Sequence, residues 1–182
     1  MGEDGFRQRL IDRFPLVDGH PDVAGVLRDP ELLAGLGPAM AGPFRSAGVT
    51  HVVAPEARGP ILGALVAVEL GAGLVMARKE GQNHPGARTV LSTGPTWRGT
   101  AQRFITRGFD LAAGDRVLVV DDWVTTGESA LALRRWATDQ GAQVVGTVAL
   151  VDKTEGDTAE LLGLTALVRF AEIAARTPAP GP

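Results

Sequence analysis

VLVVDDWVTTGESALA, residues 117–132, joins an apolar run to two adjacent acids, a hydroxyl-rich turn with one glycine, and a helix-forming segment. A continuous apolar run of this length is typical of a strand buried on both faces of a sheet. The order strand, polar turn, helix is the repeating unit of α/β proteins. Ligands of such proteins bind beyond the carboxyl ends of the strands, which is where Asp121 and Asp122 stand.

The same alternation of apolar strands and helices continues through the chain. Beside the strand at 116–120, the pattern predicts strands at 49–54, 74–77, 143–151 and 164–168. It predicts helices at 6–14, from 30, at 61–70, at 128–140 and at 158–162. Residues 78–108 lack a helical period and contain two β-leaning segments, 89–92 and 103–106, so we expect a long loop or hairpin there. We therefore expect one α/β domain over residues 1–182, with a twisted, mainly parallel sheet flanked by helices.

Composition excludes several classes of function. The chain has 182 residues, a formal net charge of −3 and no cysteine. Disulfides, thiolate metal sites, iron–sulfur clusters and cysteine nucleophiles are thereby excluded. The acidic balance argues against a nucleic-acid partner. The first residues lack the apolar run of a signal peptide, and no stretch approaches a membrane span, so we expect no membrane partner and a cytoplasmic location.

The turn at residues 125–129, here called the phosphate loop, suits a phosphate monoester. Thr125, Thr126, Gly127 and Ser129 lie where a helix begins, so backbone N–H groups and hydroxyls converge at the positive end of the helix dipole. Gly127 allows a ligand to approach the backbone closely. A plain helix start is the alternative, because Thr125 and Glu128 have the spacing of a capping box.

The adjacent acids favour the phosphate interpretation, since a helix cap leaves them unexplained. Asp121 and Asp122 can accept hydrogen bonds from the vicinal hydroxyls of a sugar whose phosphate lies in the loop. They can also hold Mg²⁺ directly or through water.

This motif resembles the phosphoribosyl pyrophosphate signature of the type I phosphoribosyltransferases. A second segment, APEARGPILGALVAVELGAGLVMARKEG at residues 54–81, is similar to the adenine phosphoribosyltransferase family. In that family a Glu-Ala-Arg-Gly turn, here at 56–59, and a later Arg-Lys pair, here at 78–79, frame the pyrophosphate. The resemblance covers roughly residues 28–151. It implies a flexible hairpin over residues 80–108, here called the hood, together with Mg²⁺ and a homodimer.

The resemblance also implies roles for individual residues. Asp121, Asp122, Arg58 and Lys79 would be catalytic, the two acids holding the metal. The predicted donor-binding residues are Glu56, Ala57, Arg58, Lys79, Asp121, Asp122, Thr125, Thr126, Gly127, Glu128 and Ser129. The implied reaction transfers the phosphoribosyl group to a purine, adenine being favoured, and releases pyrophosphate. His20 stands where the family has a stacking aromatic residue, and with Val124 it is the predicted base contact.

Other interpretations stay open at this point. RKEGQNH at 78–84 and VDKTEG at 151–156 resemble orotate phosphoribosyltransferase, although Gln82 stands where that family prefers lysine. The hood between residues 81 and 109 contains no acid, so the family's hood glutamate has no counterpart, and its arginines would attract an anionic base: Arg88, Arg98, Arg103 and Arg107. A regulator that binds phosphoribosyl pyrophosphate without turnover is a further alternative. We expect Trp123 and Trp136 to pack in the core or a dimer, Trp97 to close over a ring, and residues 177–182 to be disordered.

Overall fold

The N-terminal third of the chain is mostly helical. The computed structural model describes residues 3–18, 20–95 and 99–176. Its first elements are α1 (Glu3–Arg13), β1 (Leu16–Val17), β2 (His20–Pro21), α2 (Val23–Arg28), α3 (Pro30–Ala41) and a 3-10 turn (Gly42–Phe44). Helix α3 starts where Asp29-Pro30 predicts, because the Asp29 carboxylate accepts hydrogen bonds from the N–H groups of Glu31 and Leu32 at 3.0 and 3.2 Å.

Strands and helices alternate through the rest of the chain. They are β3 (His51–Pro55), α4 (Gly59–Leu70), β4 (Gly73–Lys79), β5 (Thr89–Pro95), β6 (Ala101–Thr106), β7 (Arg116–Val124), α5 (Glu128–Asp139), β8 (Gln143–Asp152), α6 (Thr158–Leu162), β9 (Leu164–Arg169) and α7 (Phe170–Ala174). Helix α4 ends at Gly71, which adopts a φ of +64°. A glycine reaches that conformation at little cost, so the end of α4 lies where the sequence predicts it.

Seven strands form one sheet in the order β5-β6-β4-β3-β7-β8-β9. Five neighbouring strands are parallel, namely β4, β3, β7, β8 and β9. Strands β6 and β5 add to the β4 edge in antiparallel orientation. The predicted mainly parallel α/β sheet is confirmed, and the hood contains the expected hairpin. The direction of strand addition reverses between β3 and β7, and ligands of open α/β sheets bind at such a reversal.

Two apolar cores cover the two faces of the sheet. Leu36 and Leu62, from α3 and α4, pack with Leu118 and Val120 on one face. On the other face, Leu133 and Trp136 of α5 pack with Val117 and Val119. Successive side chains of a strand point to opposite faces, so burial on both faces explains the unbroken apolar run at 117–120.

Two features differ from the expectation. Strand β7 continues to Val124, since it pairs with β8 as far as Asp152, so the two acids belong to the strand rather than to a turn. Helix α7 is not predicted. The hood tip, 96–98, and the tail, 177–182, lie outside the described residues. In the described part, no helix is long and apolar enough to cross a membrane.

Candidate active site

A cavity of about 1090 Å³ opens at the carboxyl ends of the parallel strands. The loops after β3, β4, β7 and β8 form most of its wall, as the fold rule for α/β sheets requires. It brings together every residue that the sequence assigns to the site: His20, Glu56, Ala57, Arg58, Lys79, Asp121, Asp122, Val124, Thr125, Thr126, Gly127, Glu128 and Ser129.

An ion pair crosses the reversal point of the sheet. Arg58 follows β3, and its Nε donates to Oδ2 of the buried Asp122 on β7 at 2.5 Å. Half of the Arg58 side chain is exposed, at 51%, so its guanidinium is still accessible to an anion in the cavity. The adjacent Asp121 accepts a hydrogen bond from the backbone N–H of Asp122 at 2.8 Å. The arginine and the two acids that the sequence predicts to bind the donor thus meet at one point.

The Asp121 carboxyl is held where its charge is unfavourable. Burial, and next the negative charge of Asp122, raise the pKa of Asp121 well above its ordinary value. Because this pKa is higher in the folded than in the unfolded chain, the folded chain binds more protons, and the free energy of unfolding falls as pH rises between the two pKa values. At neutral pH Asp121 therefore costs stability, which is a common property of functional acids.

The phosphate loop has the geometry of an anion site. Gly127 is the N-cap of α5 with a φ of +75°, and its carbonyl accepts from Leu131 N–H at 2.8 Å. The N–H groups at the start of a helix lack intrahelical partners, and here they lie in the cavity wall. In the described part, α5 has no side-chain cap, so the capping-box alternative for Thr125 and Glu128 is wrong.

Glu128 is directed to the hood rather than to its own helix. Its Oε2 accepts from the backbone N–H of Gly94, on β5, at 2.8 Å. The residue does line the cavity, as predicted, but its carboxylate contacts protein backbone there. A direct contact of Glu128 with the donor stays a prediction.

Glu56 holds the end of β4. Its Oε2 accepts from the Lys79 backbone N–H at 2.9 Å, and Oε1 accepts from Arg78 Nη2 at 3.3 Å. The Lys79 N–H and then the Arg78 guanidinium lower the pKa of Glu56, against the opposing effect of burial. The Glu56–Ala57 peptide bond is cis. Glu56 therefore positions Lys79 beside the cavity, and the donor contacts of Glu56, Ala57 and Lys79 stay predictions.

Two aromatic side chains of the cavity wall come from later in the chain than His20. The Phe170 ring lies 5.8 Å from the Trp123 ring, at 59°, and the Lys153 Nζ lies 4.4 Å from the Phe170 centroid. All three line the cavity together with His20 and Val124. The packing role predicted for Trp123 is therefore incomplete, because Trp123 also lines the site, whereas Trp136 is buried as expected.

Sequence reasoning missed Lys153 and Phe170, although a signal for them exists. Each follows directly after a parallel strand, β8 and β9, so each lies at the edge where ligands bind. The residues of the cavity wall that the sequence did not assign to the site are Pro21, Pro55, Gln102, Phe104, Trp123, Ala130, Lys153, Glu155, Thr158 and Phe170.

The hood contributes less positive charge than its sequence indicates. Arg103 Nη1 lies 2.9 Å from Glu80 Oε2, and Arg107 Nη2 lies 2.7 Å from Asp110 Oδ1. These acids lie just outside the acid-free segment and neutralise two of its four arginines. In the described part, the hood lines the cavity with Gln102 and Phe104 instead of Arg103, so the expected attraction of an anionic base is weakened. Trp97 and Arg98 lie outside the described residues.

The acid pair suits a metal that is shared with a ligand. Among residues 3–18, 20–95 and 99–176, no group of three or more His, Asp or Glu side chains could hold a metal ion. Mg²⁺ is commonly held by one or two carboxylates together with substrate phosphates and water. Asp121 and Asp122 fit that donor set at the phosphate-binding end of the cavity.

The fold and the cavity define an α/β protein whose candidate site suits a phosphate ligand. The sequence pattern of the phosphoribosyl transferase domain matches residues 24–161. The chain belongs to the phosphoribosyltransferase family, whose members are pentosyl-transferring enzymes, and the resemblance noted in the sequence is confirmed.

Individual relatives show which phosphoribosyltransferases the chain is similar to. The chain is 38% identical over 155 residues to adenine phosphoribosyltransferase of Streptomyces coelicolor, covering 81% of this chain and 84% of that protein. It is also 38% identical over 129 residues to xanthine phosphoribosyltransferase of Lactobacillus delbrueckii subsp. bulgaricus, covering 69% and 67%. The crystal structure of adenine phosphoribosyltransferase from Rhodothermus marinus superposes with a TM-score of 0.79 at 28% identity, covering 92% of this chain and 99% of that one.

Proposed function

We propose that this chain transfers the phosphoribosyl group of phosphoribosyl pyrophosphate to adenine, forming AMP and releasing pyrophosphate. The observation that carries the proposal is the Arg58–Asp122 pair beside the phosphate loop, since it joins cation, acid and anion site in one cavity. The relatives named adenine phosphoribosyltransferase support adenine as the acceptor.

The part of the cavity lined by Arg58, Lys79, the acid pair and the phosphate loop, here called the donor half, stabilises the charges that separate during the reaction. As the bond from the anomeric carbon to pyrophosphate breaks, positive charge develops on the ribose and negative charge on the leaving group. Asp121 and Asp122 accept hydrogen bonds from the ribose hydroxyls and favour the positive charge. Arg58 and Lys79 face the leaving pyrophosphate, to which an arginine fork is well matched. Mg²⁺ held by the acid pair would neutralise further charge on the pyrophosphate.

The part of the cavity lined by Trp123, Lys153 and Phe170, here called the acceptor half, positions the base. A nitrogen of the base forms the new bond to the anomeric carbon and loses its proton. Phe170 and Trp123 offer flat apolar surfaces on which a base can stack. The hood lines the cavity with Gln102 and Phe104, and a covered cavity excludes water as a competing acceptor.

Replacing Arg58 or Lys79 by Ala tests the assignment of the leaving group. Each change is expected to weaken inhibition by pyrophosphate about tenfold or more, because a charge-assisted hydrogen bond is lost. Binding of AMP should change much less, since AMP lacks the pyrophosphate. Inhibition constants for both ligands check this. Equal losses for pyrophosphate and AMP would contradict the role of these cations.

A 6-oxopurine such as xanthine is the second candidate acceptor. Lys153 places an ammonium group over Phe170, and both residues line the cavity. An ammonium donates to a carbonyl oxygen or a partly ionised purine, and adenine offers neither. The relative named xanthine phosphoribosyltransferase makes this candidate worth testing.

A panel of bases with the Lys153→Met variant decides between the acceptors. Adenine, guanine, hypoxanthine, xanthine, uracil and orotate are each supplied with donor and Mg²⁺, and pyrophosphate release is followed. We expect adenine to be turned over fastest and to be little affected by Lys153→Met. Arg135→Met, on an exposed position of α5, controls for loss of charge.

The alternatives give different results in this panel. Preference for xanthine that Lys153→Met lowers about tenfold would replace adenine by a 6-oxopurine, because one charged hydrogen bond is lost. Preference for orotate would restore the pyrimidine alternative. Tight donor binding without turnover of any base would indicate a regulator.

We also propose a homodimer formed through the outer face of α4. Ile61 and Val68 on α4, and Met76 on β4, are exposed by 46%, 81% and 42%. Apolar side chains grouped on one face mark an interaction surface. Val68→Asp is expected to shift the protein from dimer to monomer in sedimentation velocity, whereas Leu161→Asp, exposed on α6, should leave the mass unchanged. A monomeric parent protein would refute the dimer.

A cytoplasmic location and the lack of a nucleic-acid partner stay predictions from the sequence. Fractionation of cells and a filter-binding assay would test them.

A further inference from the structure

A single carboxylate ties the hood to the phosphate loop. Glu128 is the first residue of α5, and its Oε2 accepts from the backbone N–H of Gly94 at 2.8 Å. Gly94 belongs to β5, 34 positions earlier in the chain. The contact therefore connects two walls of the cavity that the sequence separates.

Gly94 lies in close contact with the Glu128 carboxylate. A Cβ atom placed there would overlap the carboxylate oxygen and would lie 2.7 Å from its Cδ, so a side chain at this position would displace the carboxylate. Gly94 does not have a positive φ, so an alanine there would disturb the carboxylate without straining the backbone.

Further hydrogen bonds connect Gly94 to a residue of the cavity wall. Thr93, which is 7% exposed, donates from Oγ1 to the Gly94 carbonyl at 2.7 Å. The same oxygen accepts from the backbone N–H of Gln102 at 2.8 Å. Gln102 lines the cavity. Glu128 is thereby linked through β5 to a hood residue that lines the cavity.

We infer that Glu128 is a positioning residue that holds the hood over the cavity, so that the base rather than water attacks the donor. The inference rests on the proposed transferase function. It assigns Glu128 no contact with the reacting atoms. Its carboxylate fixes β5, β5 fixes Gln102 on β6, and the covered cavity excludes water.

Hydrogen exchange and product partition test this role together. Glu128→Ala is expected to speed amide exchange in residues 89–106 about tenfold, because one charge-assisted hydrogen bond is lost. It should raise donor hydrolysis relative to AMP formation by a similar factor. Glu128→Gln, whose amide oxygen can still accept from Gly94, should restore both properties. Asp139→Ala removes an exposed carboxylate from the other end of α5 and should change neither.

A second variant approaches the contact from the hood. Gly94→Ala is expected to reproduce the Glu128→Ala result, and the double variant should be no worse than either single variant, because both changes break the same contact. Unchanged exchange in residues 89–106, or an unchanged ratio of donor hydrolysis to AMP formation, in Glu128→Ala would overturn the inference. Exchange needs no acceptor base, so a failure of the proposed function would leave this measurement decisive.

Discussion

The variant Asp121→Asn/Asp122→Asn is expected to lose at least about 100-fold in kcat/KM for phosphoribosyl pyrophosphate. Each acid contributes a charge-assisted hydrogen bond of roughly 1.5 kcal/mol to a ribose hydroxyl, and about 1.4 kcal/mol corresponds to tenfold. Asp122 also orients Arg58 through their 2.5 Å contact, so its loss disturbs the pyrophosphate site as well. Steady-state kinetics and calorimetry with the donor measure the effect. Unchanged affinity and rate would show that the acids have no part in donor binding.

The single variant Asp121→Asn separates function from stability. Burial and the charge of Asp122 raise the pKa of Asp121, so the charged form destabilises the fold at neutral pH. Asp121→Asn should therefore raise the free energy of unfolding at pH 7 and flatten its decline with rising pH, while activity falls. Asp139→Asn, at an exposed position, is the matched control. A less stable Asp121→Asn protein would contradict the unfavourable charge.

Gly127→Ala is expected to lower the free energy of unfolding by about 2–5 kcal/mol and to weaken donor binding. A residue with a side chain at a φ of +75° costs about 1–2 kcal/mol. The new Cβ would also lie 2.9 Å from Leu162 Cδ1 and 2.9 Å from Thr158 Cγ2, and such overpacking costs about 1–3 kcal/mol. Urea denaturation and the KM for the donor check the two effects.

Gly71→Ala isolates the backbone part of this cost. Gly71 has a φ of +64°, and a Cβ there would meet nothing within 4 Å. It should lose only about 1–2 kcal/mol, and donor binding should be unchanged. Equal losses in Gly71→Ala and Gly127→Ala would show that the close packing of α6 on the phosphate loop is unimportant.

The donor half of the site was predictable because its signals are local. Asp121, Asp122 and Gly127 lie within one strand-turn-helix unit, and parallel strands bring the residues after β3 and β4 to the same edge. The apolar run at 117–120 also predicted burial on both faces. Thr125 and Glu128 have the spacing of a capping box, but helix α5 has its N-cap at Gly127. The capping-box prediction was therefore wrong.

The acceptor half was not predictable from local patterns. Phe170 and Lys153 follow strands late in the chain, and their meeting with Trp123 depends on the order in which β7, β8 and β9 join the sheet. Arg103 and Arg107 of the hood looked unpaired in the sequence, because their partners Glu80 and Asp110 lie outside the acid-free segment.

Periodicity and turn chemistry in the sequence were thus enough to predict the α/β sheet and to locate the candidate donor site, since both depend on neighbours within a few residues. The aromatic wall, the neutralised hood and the contact from Glu128 to Gly94 arose only on folding. Those features depend on side-chain direction and on pairing between distant segments, and a linear pattern encodes neither.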